Sequence, residues 1–399
     1  MKIAIVGCGP AGLCCALQLA KQDHQITIFE RMSDLTMQGS GVIIQPIGLA
    51  ALDLLGVRAE IEQYGQAIHT VIGRSGERNR LSVHVDYSRL SGINYALGLQ
   101  RGALFNVLYR KVIESGVQIF TNVAIESLQY QHNNRIKLQD ENKELQGEFD
   151  FVIDASGAYS KLRKYAVQNT ISKPLHYGSL WSKVDLDAEV NFDRQKMELY
   201  SDNYNVGIGL MPIGKLALQD KPQIALFWNM KWQNYPQWRA GNLDEWKNNC
   251  IEKWPSTKPF LQKITHHDQL YLAKFIYHRL PKPYGNNLAF VGDAAHATNP
   301  QLGQGINMSL VDAVVLAWAL QQHKDLASAL ALYASTRKSH VVFYQTMARI
   351  LTPFYQSDNA TAIYCRDRLY GPLCKIPLVG TLTAQLISGQ MRKPLKRLV

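Results

Sequence analysis

No stretch of this sequence reaches the roughly 18 uninterrupted apolar residues of a membrane-spanning helix, so none is expected. Acidic residues are in short supply: 32 Asp and Glu stand against 43 Lys and Arg among 399 residues, a formal charge of +11. Such a field attracts anions, among them phosphorylated cofactors, acidic substrates and anionic membrane surfaces. No helix-turn-helix, zinc-finger or RNA-binding signature accompanies it, and nucleic acid is not expected as a partner. Cysteine is sparse. Cys8, Cys14, Cys15, Cys250, Cys365 and Cys374 show neither zinc-site nor dithiol spacing and are read as reduced and mostly buried. His266 and His267 lack partner ligands, so the pair is read as exposed and no metal is expected. No nucleophile elbow accompanies a Ser, His and Asp set, which removes hydrolysis. There is no long polar or repetitive tract, so the chain is expected to fold throughout, as two intimately packed domains. The apolar run after Lys2 reaches Gly7 without a cleavage-type context and is not read as a signal peptide, so a cytoplasmic location is expected.

What is present begins at once. Residues 3–6 form a short β-rich run, GCGPAG supplies Gly7, Gly9, Pro10, Ala11 and Gly12, and a helical stretch follows over 13–21. Strand, glycines and helix in that order mark a dinucleotide site. Gly7 allows the tight turn, Gly9 the approach of a pyrophosphate, and Gly12 close packing of helix on strand. The helix N-terminus offers unpaired N–H groups to phosphate. A second strand, 25–29, ends at Glu30, whose carboxylate suits a ribose diol and disfavours a 2′-phosphate. FAD or NAD therefore fits better than NADP. Arg31 is as much a surface residue as a cofactor contact.

A further apolar strand over 287–291 runs into GDAAHATNPQLGQGINMSLVDAVVLAWAL. Gly292 and Asp293 close the strand, Pro300, Gly303 and Gly305 shape a tight loop, and a helix is expected over 306–320. A carboxylate at a strand end can bind a polyol chain. A helix start aimed at a ring can stabilise negative charge on it.

GCGPAG with Glu30, DASGAYSKLR over 154–163 and GDAAHATNPQLGQG together resemble the para-hydroxybenzoate hydroxylase family of flavoprotein monooxygenases, and ARILTPFYQSD over 348–358 is similar to a subset of its bacterial members. The resemblance implies an α/β fold: a Rossmann-like FAD-binding domain, an inserted β-sheet substrate domain and C-terminal helices. It implies that Asp293 binds the flavin ribityl chain and that Pro300, Gly303, Gln304, Gly305, Ile306 and Asn307 lie along the ring. It adds Arg101, Val123 and Gly157 to the cofactor contacts and gives His296 a structural part; no side-chain acid or base is assigned to the chemistry. In that family NAD(P)H docks transiently, and the reduced flavin forms a hydroperoxide that hydroxylates an electron-rich ring with molecular oxygen. Two departures stand out. Ser156 precedes Gly157 where the family usually has Asp-Gly, and Gly39 stands where the prototype has an arginine, leaving more of the pyrophosphate to Arg101.

The FAD-binding domain is expected to be discontinuous, over 1–75, 96–168 and 280–340, with a β-rich substrate domain over 76–95 and 172–278 and a helical region over 341–399. No second strand-preceded G-x-G-x-x-G exists, so no dedicated NAD(P)H domain is expected, and NADH and NADPH are not distinguished. Trp181, Tyr200, Met211 and Phe227 are candidate pocket residues for a small, aromatic substrate, although a β-sheet core needs such side chains too. Other flavin reactions on this fold, such as isoprenoid reduction or halogenation, stay open, although no Trp-x-Trp-x-Ile-Pro motif is present. So does a non-catalytic, flavin-bound interaction module. Arg392, Lys393, Lys396 and Arg397 after the apolar stretch 376–387 make the C-terminus a candidate for peripheral membrane contact.

Overall fold

The computed structural model describes the chain except residues 36–38, 40, 77, 203–206, 375, 397 and 399. The opening KIAIV, rich in β-branched residues and buried after Lys2, forms the strand Lys2–Val6. It is flanked in parallel by Gln25–Phe29 and Phe151–Asp154. The full sheet has six strands, in the order Tyr284–Gly285, Leu288–Phe290, Phe151–Asp154, Lys2–Val6, Gln25–Phe29 and Gln118–Phe120. Alternation along Lys2–Val6 divides its side chains between two cores. Ile3 and Ile5 pack under the helices, among them Pro10–Ala20, Arg101–Glu114 and Gly305–Gln322. Ala4 and Val6 face the antiparallel sheet of Ile125–Tyr130, Ile136–Asp140 and Leu145–Phe149.

A seven-stranded sheet forms the second layer, in the order Tyr271–Lys274, Tyr177–Asp185, Gln223–Lys231, Gly207–Pro212, Lys196–Ser201, Thr70–Ser75 and Arg80–Asp86. Thr70–Ser75 and Arg80–Asp86 are a hairpin within it, so the expected domain limit after residue 75 falls between its two strands. One face carries Leu180, Leu210, Leu226 and Trp228, which pack against residues of the helices Tyr235–Ala240 and Leu243–Lys253. The other face carries Trp181, Leu199, Met211 and Ala225, which share a core with Ala384 and Ile387 of the C-terminal helix Pro377–Ile387. The sheet of Gly41–Ile44, Ala96–Gln100 and Gln66–Ile68 joins the two layers. The architecture is α/β with an inserted sheet and C-terminal helices, as the motifs imply.

The C-terminal segment is docked. Leu395 is buried in the main core, and the Arg392 guanidinium lies over the Phe343 ring at 5.3 Å. Arg397 lies outside the described residues. Among the described residues no helix is long and apolar enough to cross a membrane. The six cysteines are free, five of them buried and Cys365 half-buried. His266 is exposed as expected, whereas His267 is half-buried, its ring 4.8 Å from that of Trp238, because the aromatic cluster on the helical layer needs an edge to close on.

A buried polar network ties these layers together. Asp312, on Gly305–Gln322, accepts from Arg337 Nε at 2.6 Å, pairs with His296 Nε2 at 2.7 Å and accepts the Gly292 N–H at 2.8 Å. Arg337, on Leu326–Tyr355, is itself 1 % exposed. Burial alone would raise the Asp312 pKa, but His296 and Arg337 hold it down at about 2. Arg337→Met would leave a buried carboxylate without its fixed cation, which costs about 3–5 kcal/mol. Urea unfolding of the purified protein should show that loss at neutral pH. In the native protein the Asp312 contribution is complete above the unfolded-state carboxylate value of about 3.9 and is lost as pH falls through about 2.

Candidate functional site

The site lies at the carboxyl ends of the parallel strands, where the chain leaves the sheet in glycine turns. Gly7 has φ +107°, and a Cβ there would come within 2.5 Å of the Ala155 carbonyl oxygen, so no other residue fits. A Cβ on Gly12 would strike the Gly7 carbonyl at 2.1 Å. Gly9 is different: a Cβ there would meet nothing within 4 Å, because its outer side faces open space before the helix Pro10–Ala20. Pro10 at the helix start gives up no needed N–H, and Ala11 is small and buried. Glu30, at the end of the next strand, accepts the Cys8 N–H at 2.7 Å and the Met32 N–H at 3.0 Å. Those bonds fix its carboxylate beside the glycine turn. Val123 donates its N–H to the Glu30 carbonyl at 2.9 Å, which places it at the same rim, and Arg31 is exposed. The Cys8 thiol inside the turn is pushed up to about 12 by burial and by Glu30, so it stays protonated.

The second motif does internal work. Asp154 is fully buried and accepts from Ser156 N–H at 3.0 Å, Ser156 Oγ at 2.6 Å and the Ser160 hydroxyl. These bonds shape the turn that carries Gly157 (φ +85°), where a Cβ would again meet nothing within 4 Å. Ser156, the departure from the family pattern, is thus a ligand of the aspartate that holds the turn. Arg163 donates to the Ala158 carbonyl at 2.7 Å and lies beside His278. Burial and Arg163 lower the His278 pKa to about 4, so the ring is neutral, and its Nε2–H donates to the Asp293 carbonyl at 2.6 Å. Nothing in the sequence marks His278 for this part; it lies in the middle of a three-residue strand, Tyr277–Arg279.

Asp293 is exposed to solvent beyond the end of the parallel strand Leu288–Phe290, and the surrounding protein still desolvates its carboxyl. That desolvation raises its carboxyl pKa; His296 and Arg101 pull it down, and Asp312 adds to the rise. Arg101 begins the helix Arg101–Glu114 and is exposed as well. A Cβ on Gly39 would come within 2.9 Å of Arg101 Cδ and 3.3 Å of its Nη1, so the absence of a side chain at 39 leaves room for the Arg101 guanidinium.

The loop from Pro300 is locked from below. Gly303 takes φ +59°, and Asn307 Nδ2 donates to the Gly303 carbonyl at 2.7 Å and the Ile43 carbonyl at 3.2 Å. Asn307 Oδ1 accepts the Gln45 N–H at 2.8 Å, so Asn307 pins the loop to the strand Gly41–Ile44 rather than facing outward. Gln304 is likewise turned inward, donating to the Ile387 carbonyl at 2.8 Å. Pro300 and Gly305 are exposed, Ile306 is half-buried, and a Cβ on Gly305 would meet nothing within 4 Å.

Trp181 and Phe227 are direct cross-strand partners with ring centroids 4.7 Å apart. Phe227 lies over Gly209, where a Cβ would meet the ring at 2.0 Å. Met211 is on the same face, near Gly41. Tyr200 does not join them. Its strand register turns it to the opposite face, where its ring stacks with Trp254 at 6.0 Å.

The donor set fits one FAD. Glu30 would take the adenosine ribose, the open sides of Gly9 and Gly157 with Arg101 the pyrophosphate, Asp293 the ribityl chain, and the start of Gly305–Gln322 the ring. These features define a flavoprotein. The chain belongs to the FAD binding domain family, whose model matches residues 1–348. It is 24% identical over 384 residues to the aurachin C monooxygenase/isomerase of Stigmatella aurantiaca, with 92% of this chain and 93% of that protein covered. It is 23% identical over 380 residues to 3-hydroxybenzoate 6-hydroxylase 1 of Aquipseudomonas alcaligenes, with 93% of each covered. Klebsiella pneumoniae HpxO, solved with FAD and uric acid, shares the fold with a TM-score of 0.82 at 16% identity, over 98% of each chain.

Asp293→Asn should keep the fold and weaken FAD binding by about tenfold, the equivalent of ~1.5 kcal/mol for a lost hydrogen bond to a charged group. Fluorescence titration of the apoprotein reads it. Because the Asp293 pKa is raised, wild-type affinity should fall on acidification from above the ordinary carboxylate value, and Asp293→Asn should flatten that part of the curve.

Proposed function

We propose that the protein hydroxylates a small aromatic compound, consuming NAD(P)H, a proton and molecular oxygen and yielding the hydroxylated ring, NAD(P)+ and water. The observation that carries this reading is the aromatic pair Trp181 and Phe227 on the sheet face whose core also contains Met211, Ile43 and Ile387. The Ile43 carbonyl accepts from Asn307, which also holds Gly303, and the Ile387 carbonyl accepts from Gln304. A flat substrate lying on that face would be bounded by apolar side chains and held against the loop along which the resemblance places the flavin ring. Relatives named as monooxygenases and hydroxylases favour oxygen insertion over isoprenoid reduction or halogenation.

The chemistry supplied by bound FAD is hydride uptake from NAD(P)H followed by activation of oxygen. The protein's own contribution is positional. Glu30, Arg101 and Asp293 fix the cofactor, the Gly305–Gln322 helix start favours negative charge nearby, and the apolar face excludes water from the reacting groups. Leu378 and Leu382 on the C-terminal helix are exposed and are where peripheral contact with an anionic membrane would form. Flotation with anionic liposomes at low and high salt checks that finer reading, and a protein that stays unbound at low salt contradicts it.

Screening phenolic acids, quinone precursors and polycyclic aromatics should find compounds that raise NAD(P)H oxidation several-fold and leave as hydroxylated products. No stimulation by any of them would overturn the reading. With an active compound, Trp181→Ala should raise KM by about tenfold through lost ring contact, about 1.5 kcal/mol, with FAD content unchanged.

A further inference from the structure

The sheet face that carries Trp181 and Phe227 does not end there. Moving outward along the same two strands, the next pair on that face is Ser179 and Asn229, joined by a hydrogen bond of 2.9 Å, and the next is Tyr177 and Lys231. Tyr177 and Lys231 line a cavity of about 610 Å³ whose opposite wall includes Asn299, Thr352 and Asp358. Asn299 immediately precedes the loop at Pro300, so the cavity touches both the outer end of the aromatic face and the flavin loop.

The polar groups of this cavity are unevenly satisfied. Lys231 and Asp358 pair across the mouth at 2.5 Å, and Tyr177 also bonds Asp358, so these charges compensate each other. Asn299 is only 5 % exposed, and its Oδ1 has no partner. Its orientation is determined: the Thr352 hydroxyl donates to the Ala348 carbonyl at 2.7 Å, so its oxygen must accept, and the Asn299 atom facing it is Nδ2. Oδ1 is thereby left enclosed within the wall, out of contact with the open cavity.

We propose that this cavity is an outer subsite for the distal part of an elongated, uncharged aromatic substrate. Trp181 and Tyr177 lie four steps apart along the strand, roughly 13 Å at about 3.3 Å per residue. A single ring on Trp181 and Phe227 does not reach the mouth; a ring with an appended aryl group or chain does. The inference rests on the aromatic-hydroxylase reading for the occupant of the inner end.

The test is equilibrium binding to the FAD-loaded protein without NAD(P)H, followed by the flavin difference spectrum and by calorimetry. The probes are indole and 2-phenylindole, which differ only in the distal ring. In the wild type, 2-phenylindole should bind about tenfold or more tighter than indole. Gln233→Trp, which fills the cavity from an exposed lining position, should abolish that advantage. Equal binding of the two probes by the wild type, absence of binding by both, or a variant that keeps the difference would each overturn the subsite. None of those results touches the hydroxylation reading, which stimulated NAD(P)H oxidation by other aromatics decides on its own.

Discussion

The Asp312 carboxylate is buried with three partners drawn from separate parts of the chain: the Gly292 N–H, the His296 ring and the Arg337 guanidinium. Each would be expensive alone in that environment, and together they leave no unpaired charge. The consequence is positional. Gly292 precedes Asp293, so the anchor that stabilises the long helices also sets where the strand ends and where the Asp293 side chain emerges. Arg337 passes the constraint on, since His340 lies 3.1 Å from it and bonds the Gly389 carbonyl at 3.0 Å, holding the C-terminal segment against the loop. Burial and Arg337 lower the His340 pKa to about 3, so this link stays uncharged.

A second consequence concerns the division of labour among the motif residues. Only some of them face outward. Gly9, Gly157 and Gly305 have open space where a Cβ would stand, and Arg101 and Asp293 are exposed, whereas Asp154, Gln304 and Asn307 spend their polar atoms on the protein itself. The inward-facing set determines the shape of turns whose outward-facing members would carry the cofactor. At the position where the family usually has Asp, the Ser156 N–H and hydroxyl both donate to Asp154, so the departure is absorbed into the turn itself.

The first strand, glycine turn and helix were readable because each of their requirements is local: β-branched alternation, a glycine at positive φ and a helix start. The strand Gln25–Phe29 and the helix after Gly303 were readable for the same reason. The face on which Tyr200 lies was not, because it depends on the register with Gly207–Pro212, and a strand's own composition does not say which side meets the helices. The hairpin of residues 70–86 was divided for a similar reason: Thr70–Ser75 is claimed by a parallel partner more than a hundred residues away, Lys196–Ser201. His278 and Arg337 lie outside the motifs, and Asp312 stands in the helix that follows one. Their roles arise from contacts between distant segments, and only a buried charge in an otherwise apolar helix, as at Asp312 in GINMSLVDAVVLAWALQQ, offers a hint.

Oxygen insertion at the aromatic face is the step on which the proposed function depends. The direct measurement is turnover of a stimulating aromatic compound under oxygen-18 gas in ordinary water, with a parallel run under ordinary oxygen in oxygen-18 water, both read by mass spectrometry of the product. Label from the gas and none from the water is the expected result. A product without gas-derived oxygen, or a product that gains hydrogen instead of oxygen, would contradict it.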